Sequence, residues 1–209
     1  MGYISFPVTS FEQNCSLAWC DASMEAAVID PGGDEQLIIE TVSEHHLKPV
    51  KVILTHGHLD HVGGTAGIAE HYGIPVIGPH EDDAFLLEML EQQAQMFAFP
   101  KPRDFTPDQW LQQGDEIPVG ERTLRVLHCP GHTPGHVVLY DMQHQLLFAG
   151  DVLFRGAIGR TDFPRGNHQQ LIDSIHQRLW PLPDDVTVIP GHGPETTIGI
   201  ERATNPFVP

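Results

Sequence analysis

Apolar residues fall into short runs separated by polar, glycine- and proline-rich stretches, and the spacing inside each run predicts its backbone form. Leu17 to Cys20 and Ala26 to Ile29 flank a polar break and predict an early hairpin. A helix is expected over Glu35 to His46, after Gly32-Gly33, then a strand over Val50 to Leu54. Thr65 to Tyr72 reads as a helix and Pro75 to Ile77 as a short strand. Glu81 to Phe97 predicts a longer helix with Phe85, Leu86, Met89 and Leu90 on one side. That face suits either core packing or a wall beside a substrate. Pro100 to Gln113 holds three prolines and predicts a loop joining two halves. The second half repeats the theme, with strands from Leu124, Val137 and Leu146 and a helix from Asn167 to Leu179. A strand over Val186 to Ile189 and a helix near Thr197 to Ala203 complete it. Two mixed sheets with helices outside both, an α+β class, fit this order.

The strand ends carry the chemistry. Val52-Ile53-Leu54 runs directly into Thr55-His56-Gly57-His58-Leu59-Asp60-His61. Neutral imidazole is the commonest protein metal ligand, and carboxylate is a hard anionic one. Alternate residues of an extended segment face the same side, so His56 and His58 can meet on one ion. Asp60 and His61 lie further along the loop and suit a second. Three later segments contribute more ligands at similar places: His132 in Pro130-Gly131-His132, Asp151 in Ala149-Gly150-Asp151, and His192 in Pro190-Gly191-His192. Five histidines and two aspartates exceed the three protein ligands of a catalytic zinc. They suit two ions, one held by His56, His58 and His132, the other by Asp60, His61 and His192, with Asp151 bridging. Asp30 follows the run Ala26 to Ile29 and is placed either to cap a turn or to accept a hydrogen bond from a ligand histidine's other nitrogen. His136 is expected beside the ligands rather than among them.

This quartet of motifs resembles the metallo-β-lactamase superfamily and, within it, the short bacterial glyoxalase II-like (hydroxyacylglutathione hydrolase-like) proteins. The resemblance runs from Asp30-Pro31-Gly32-Gly33 to Asn205-Pro206-Phe207. It implies an αββα sandwich, the seven ligands above, and two divalent ions per chain, zinc foremost, with iron or manganese as alternatives. The implied reaction is attack of metal-bound hydroxide on a small anionic thioester such as S-D-lactoylglutathione, with Asp60 orienting the nucleophile. Gly159-Arg160-Thr161-Asp162-Phe163 resembles a family segment whose basic residue contacts glutathione, which assigns that contact to Arg160. The position of His192 near the end of the chain leads us to expect one domain over residues 1–209, without the helical C-terminal domain of longer glyoxalase II proteins. The alternatives are a mononuclear iron persulfide dioxygenase of the same fold and a metal-binding protein without catalysis. Pro190-Gly191-His192-Gly193-Pro194 keeps the hydrolase form of the last motif and favours hydrolysis.

Composition narrows the partners. A net charge of −17 argues against nucleic acid, which requires a basic footprint; two divalent ions would leave about −13. Cys15, Cys20 and Cys129, an odd number without a C-x-x-C pair, read as reduced thiols. No signal-like leader and no apolar run of roughly 18 residues is present, so a cytoplasmic protein without a membrane partner or an obligate protein partner is expected. The chain also lacks a G-x-S-x-G nucleophile motif.

Overall fold

The computed structural model describes residues 1–208. Strands β1 (Gly2–Val8), β2 (Gln13–Trp19) and β3 (Glu25–Ile29) form an antiparallel meander. Helix α1 (Glu35–Glu44) then crosses over so that β4 (Lys48–Ile53) pairs parallel to β3. Helices α2 (Leu59–Val62) and α3 (Thr65–Tyr72) lead to β5 (Val76–Ile77), parallel to β4. This completes a five-stranded sheet in sequential order.

The helix expected over Glu81 to Phe97 is broken. It forms a 3-10 turn at Glu81–Asp83, α4 (Ala84–Glu88) and α5 (Leu90–Phe97), with the kink at Met89. There the Leu86 carbonyl accepts the Met89 N–H and also the Gln93 side-chain amide, 2.9 Å away. Periodicity alone does not reveal that competition, because the apolar spacing continues through the break.

The second sheet contains β6 (Glu116–Val119), β7 (Arg122–His128), β8 (Val137–Asp141) and β9 (Leu146–Gly150), the last three each antiparallel to the strand before. A small ribbon, β10 (Leu153–Phe154) with β11 (Ala157–Ile158), precedes α6 (His168–Ser174) and its π-helical extension at Ile175–Leu179. Strand β12 (Thr187–Pro190) joins parallel to β9, β13 (Thr196–Thr197) forms the edge, and α7 (Ile198–Thr204) packs last. The strands β1, β6, β10, β11 and β13 were not evident in the apolar pattern. Four of them are two or four residues long, and β1 is an edge strand with Pro7 and largely half-exposed positions.

The two sheets pack face to face. In β3, Ala27 and Ile29 point into the layer between the sheets, which they share with Ile53 of β4 and with Leu124, Leu139 and Phe148 of the second sheet. Ala26 and Val28 point the other way, onto Ile38 and Val42 of α1 and Ile68 of α3. This is the two-residue alternation of a strand buried on both faces. On the outer side of the second sheet, Val138, Leu147 and Val188 pack against Leu171, Ile175 and Ile198. The order helix, sheet, sheet, helix is the expected αββα sandwich. Cys15, Cys20 and Cys129 are buried free thiols.

Candidate metal centre

Strands β4, β7, β9 and β12 all end at one edge of the sandwich, and the loop after each carries part of the histidine and aspartate set. His58 has extended backbone just before α2, and the His56 and His58 rings meet on the same side. His56 Nε2 lies 3.1 Å from His58 Nδ1, and His132 Nε2 lies 2.9 Å from the same atom. Three imidazole nitrogens thus converge on one point. Asp60 and His61 do not sit in a loop: they are in α2, whose turn swings them to a second point. There His192 Nε2 is 3.2 Å and His61 Nε2 3.9 Å from Asp60 Oδ2. Asp151 stands between the groups, with Oδ1 3.3 Å from His61 Nε2 and Oδ2 3.6 Å from His132 Nε2 and 3.8 Å from His192 Nε2.

The donor set fits a pair of ions. His61 Nε2 and Asp151 Oδ1 are buried and accept or donate no hydrogen bond, although each belongs to a strongly polar group. A cation held by these groups would satisfy both. The opposite ring nitrogens are already committed, which fixes the tautomers. His61 Nδ1 lies 2.9 Å from Asp30 Oδ2, and His132 Nδ1 donates to the Arg160 carbonyl at 2.7 Å. His56 Nδ1 meets the Thr55 hydroxyl at 3.0 Å, and that hydroxyl donates to Asp30 Oδ2 at 2.6 Å. Asp30 Oδ1 also accepts the Thr55 N–H at 2.7 Å, so Asp30 steadies both His61 and the start of the ligand loop. His136 is adjacent to the group, as expected: its ring stacks on His56 at 4.5 Å and its Nε2 accepts the Asp151 N–H.

Electrostatics divide the centre. Burial, reinforced by neighbouring imidazoles, holds His56 well below the ordinary histidine range and His58 at about 3. His132 is also lowered by burial, against the pull of Asp151. These three are therefore neutral, the form that ligates. At the second point burial opposes charging too, but the Asp151 and Asp60 carboxylates raise His61 well above the usual range. His192 is raised in spite of burial by its hydrogen bond to Asp60 and the field of Asp151. An ion at this point would compete with protons for His61 and His192.

Several contributors carry no local sequence signal. Asp83, fully buried, accepts from Gly57 N–H at 2.9 Å, Thr133 Oγ1 at 2.7 Å and Gly135 N–H at 2.6 Å. It joins the His56–His58 loop to the His132 loop. Gln93 of α5 accepts the Leu59 N–H at 3.0 Å and pins α5 over α2. In sequence, Asp83 is one of three consecutive acids at a helix start, and Gln93 is one of two adjacent glutamines. Two glycines are required by close approach: a Cβ on Gly32 would lie 1.6 Å from the Asp60 carbonyl oxygen, and one on Gly191 2.2 Å from Asp151 Oδ1.

The centre opens into a cavity of about 410 Å³, and Arg160 lies on its wall. The Arg160 side chain is exposed, bonded to Asp162 at 2.9 and 2.7 Å, with its guanidinium 4.6 Å from the Phe163 ring centre.

Comparison with known proteins agrees with this geometry. The family model described as the metallo-beta-lactamase superfamily matches residues 8–192. The chain is 48% identical to hydroxyacylglutathione hydrolase GloC of Haemophilus influenzae, over 97% of this chain and 95% of that protein. Among solved structures, it resembles the BLEG-1 B3 metallo-beta-lactamase with a TM-score of 0.92 and 35% identity, covering 99% of each chain. It also resembles TTHA1623 in a di-iron-bound form, with a TM-score of 0.89 and 36% identity over 98% of this chain and 99% of that one.

Proposed function

We propose that this chain, which belongs to the metallo-beta-lactamase superfamily, is a binuclear metal-dependent thioesterase acting on S-D-lactoylglutathione-like substrates. The observation that carries this reading is the pair of ligand groups with Asp151 between them, its buried, unpartnered Oδ1 facing the unpartnered His61 Nε2 beside a cavity that Asp151 lines. The similarity to a hydroxyacylglutathione hydrolase supports the substrate class. His56, His58 and His132 would hold one ion and Asp60, His61 and His192 the other, with Asp151 shared. When bound, such ions supply Lewis acidity and lower the pKa of water towards about 7.

The chain's own residues do the rest. Asp30, Thr55 and the Arg160 carbonyl lock the ligand rings in the tautomers that leave His61 Nε2, His56 Nε2 and His132 Nε2 free for the centre. Asp60, part-exposed at the cavity floor, accepts a hydrogen bond from the attacking water and orients it towards the substrate carbonyl. The thiolate departs as a stable anion and requires no acid from the protein.

Metal analysis of protein reconstituted with zinc, iron or manganese, alongside S-D-lactoylglutathione hydrolysis, tests it. Two ions per chain and metal-dependent turnover are expected. One ion per chain after saturating reconstitution, without turnover, would favour the persulfide dioxygenase.

Arg160 is assigned to a carboxylate of the glutathione portion. Because its guanidinium is exposed and already bonded to Asp162, a substrate carboxylate must compete for it, and the net contact is modest. Arg160→Ala is expected to raise KM for the glutathione thioester by about tenfold or less with little change in kcat. A thioester lacking the glutathione carboxylates should lose nothing. Equal losses on both would return Arg160 to a purely structural role in the loop that holds His132.

A further inference from the structure

The cavity wall beyond the ligands is apolar to a degree that a charged substrate does not explain. Phe11, Met89, Met96, Phe97, Phe154 and Phe163 face the same space as His58, Asp60 and His192. Phe163 stands 4.8 Å from the His58 ring, and Phe154 6.3 Å from the His192 ring, so the apolar surface begins at the ligands themselves. Phe11 and Phe97 meet edge to face at 5.8 Å further out.

Helix α5 shows that this surface is built for something outside the core. Its Leu90 and Ala94 are buried among the residues covering the first sheet, which satisfies one apolar stripe. Met96 lies off that stripe and is 78% exposed, and Phe97, on the stripe but at its end, is still 46% exposed. Apolar groups held in water beside a cavity mark a binding surface rather than core. Gln93, bonded to the Leu59 N–H next to His58, fixes the helix at this height above the ligands.

Charge points the same way. Arg160 is the one Lys or Arg among the described residues lining the cavity, and Asp162 engages it. Arg155 donates to the Glu195 carbonyl, and Arg165 lies over the Phe85 ring at 4.0 Å. No other arginine of this segment is left to match the carboxylates of a polyanionic thiol. Methionines, flexible and polarizable, adapt to unbranched chains of differing length.

We propose that this wall binds an apolar arm of the substrate, so that the protein prefers thioesters carrying an unbranched alkyl arm over those without one. The inference rests on the thioesterase reading and adds the chemistry of the substrate arm. The arm is either the acyl chain or a substituent on the thiol, and both place alkyl groups against Met89, Met96 and Phe97.

Two substrate series distinguish them in the metal-loaded protein: acetyl to octanoyl thioesters of N-acetylcysteamine, and lactoyl thioesters of alkanethiols of increasing length. In one series, kcat/KM should rise about fourfold per methylene until the cavity is filled, the factor that follows from burying one methylene. Met96→Ser and Phe97→Ser, both at exposed positions, should flatten that rise without loss of folding. Calorimetric binding of unreactive alkyl thioethers to the same proteins should follow the same increments and requires no turnover. Flat responses in both series and in thioether binding would overturn the proposal, even with S-D-lactoylglutathione hydrolysed rapidly. Length-dependent thioether binding without hydrolysis of any thioester would instead support the apolar site and sink the thioesterase reading.

Discussion

Asp60→Ala is expected to reduce thioester hydrolysis by more than about a hundredfold. Loss of a partner that merely orients a ligand costs about 10–100-fold in metal affinity or activity, and Asp60 is assigned both a ligand's role and contact with the nucleophile. His61→Ala should match it in activity and in metal content, each variant retaining one ion per chain. Their stabilities should differ. Asp60 is partly exposed, so its removal leaves the apolar layers untouched. His61 is fully buried and bonded to Asp30, and its loss strands a buried carboxylate that keeps only Thr55 as a partner. Thermal melting of the two metal-free variants checks this, with His61→Ala the less stable. Near wild-type turnover in either protein would show that the second ion is dispensable.

Asp83→Ala should be the most damaging change at a residue outside the proposed ligand set. It leaves the Gly57 and Gly135 N–H groups and the Thr133 hydroxyl without their acceptor in the interior. At about 1–3 kcal/mol for each buried group left unpaired, the loss is about 3 kcal/mol or more. Activity should fall with stability, because the His58 and His132 loops are then free to separate. Burial pushes the Asp83 carboxyl up to about 6, against the opposing hydrogen bonds from Thr133, Gly57 and Gly135. A carboxyl raised on folding contributes stability that is fully present below its ordinary value, 3.8, and is lost as pH rises through about 6. The stability gap between wild type and Asp83→Ala should therefore widen as pH falls through that window. A pH-independent gap in chemical denaturation would show that Asp83 stays ionised throughout.

The gathering of His56, His58, Asp60, His61, His132, Asp151 and His192 was legible because each follows an apolar run that stops abruptly. Strand ends are local events, and two sheets packed face to face bring like ends to one edge. The turn of α2 was hidden, since four residues with two ligands give too short a pattern to distinguish helix from loop. Asp83 and Gln93 were hidden for a different reason. Their roles lie in contacts reaching 52 and 34 residues along the chain, and nothing adjacent to either residue announces the partner. The same holds for Arg160, whose side chain drew attention through its charge although its carbonyl oxygen holds His132. The kink at Met89 depends on a side-chain amide competing for one carbonyl, which apolar spacing does not register.

The seven residues come from both sheets: His56, His58, Asp60 and His61 from the segment after β4, which includes α2, and His132, Asp151 and His192 from loops of the second sheet. Ions held there would act as rivets through the open edge of the sandwich, and the unfolded chain, with these residues dispersed, would have no comparable grip. By mass action, every tenfold excess of free ion over its dissociation constant adds about 1.4 kcal/mol per site to the folded state. The melting temperature would thus become a gauge of metal supply. A cell short of the right ion would hold not merely an idle protein but one that opens along this seam and is cleared by proteases, tying its abundance to the metal it uses.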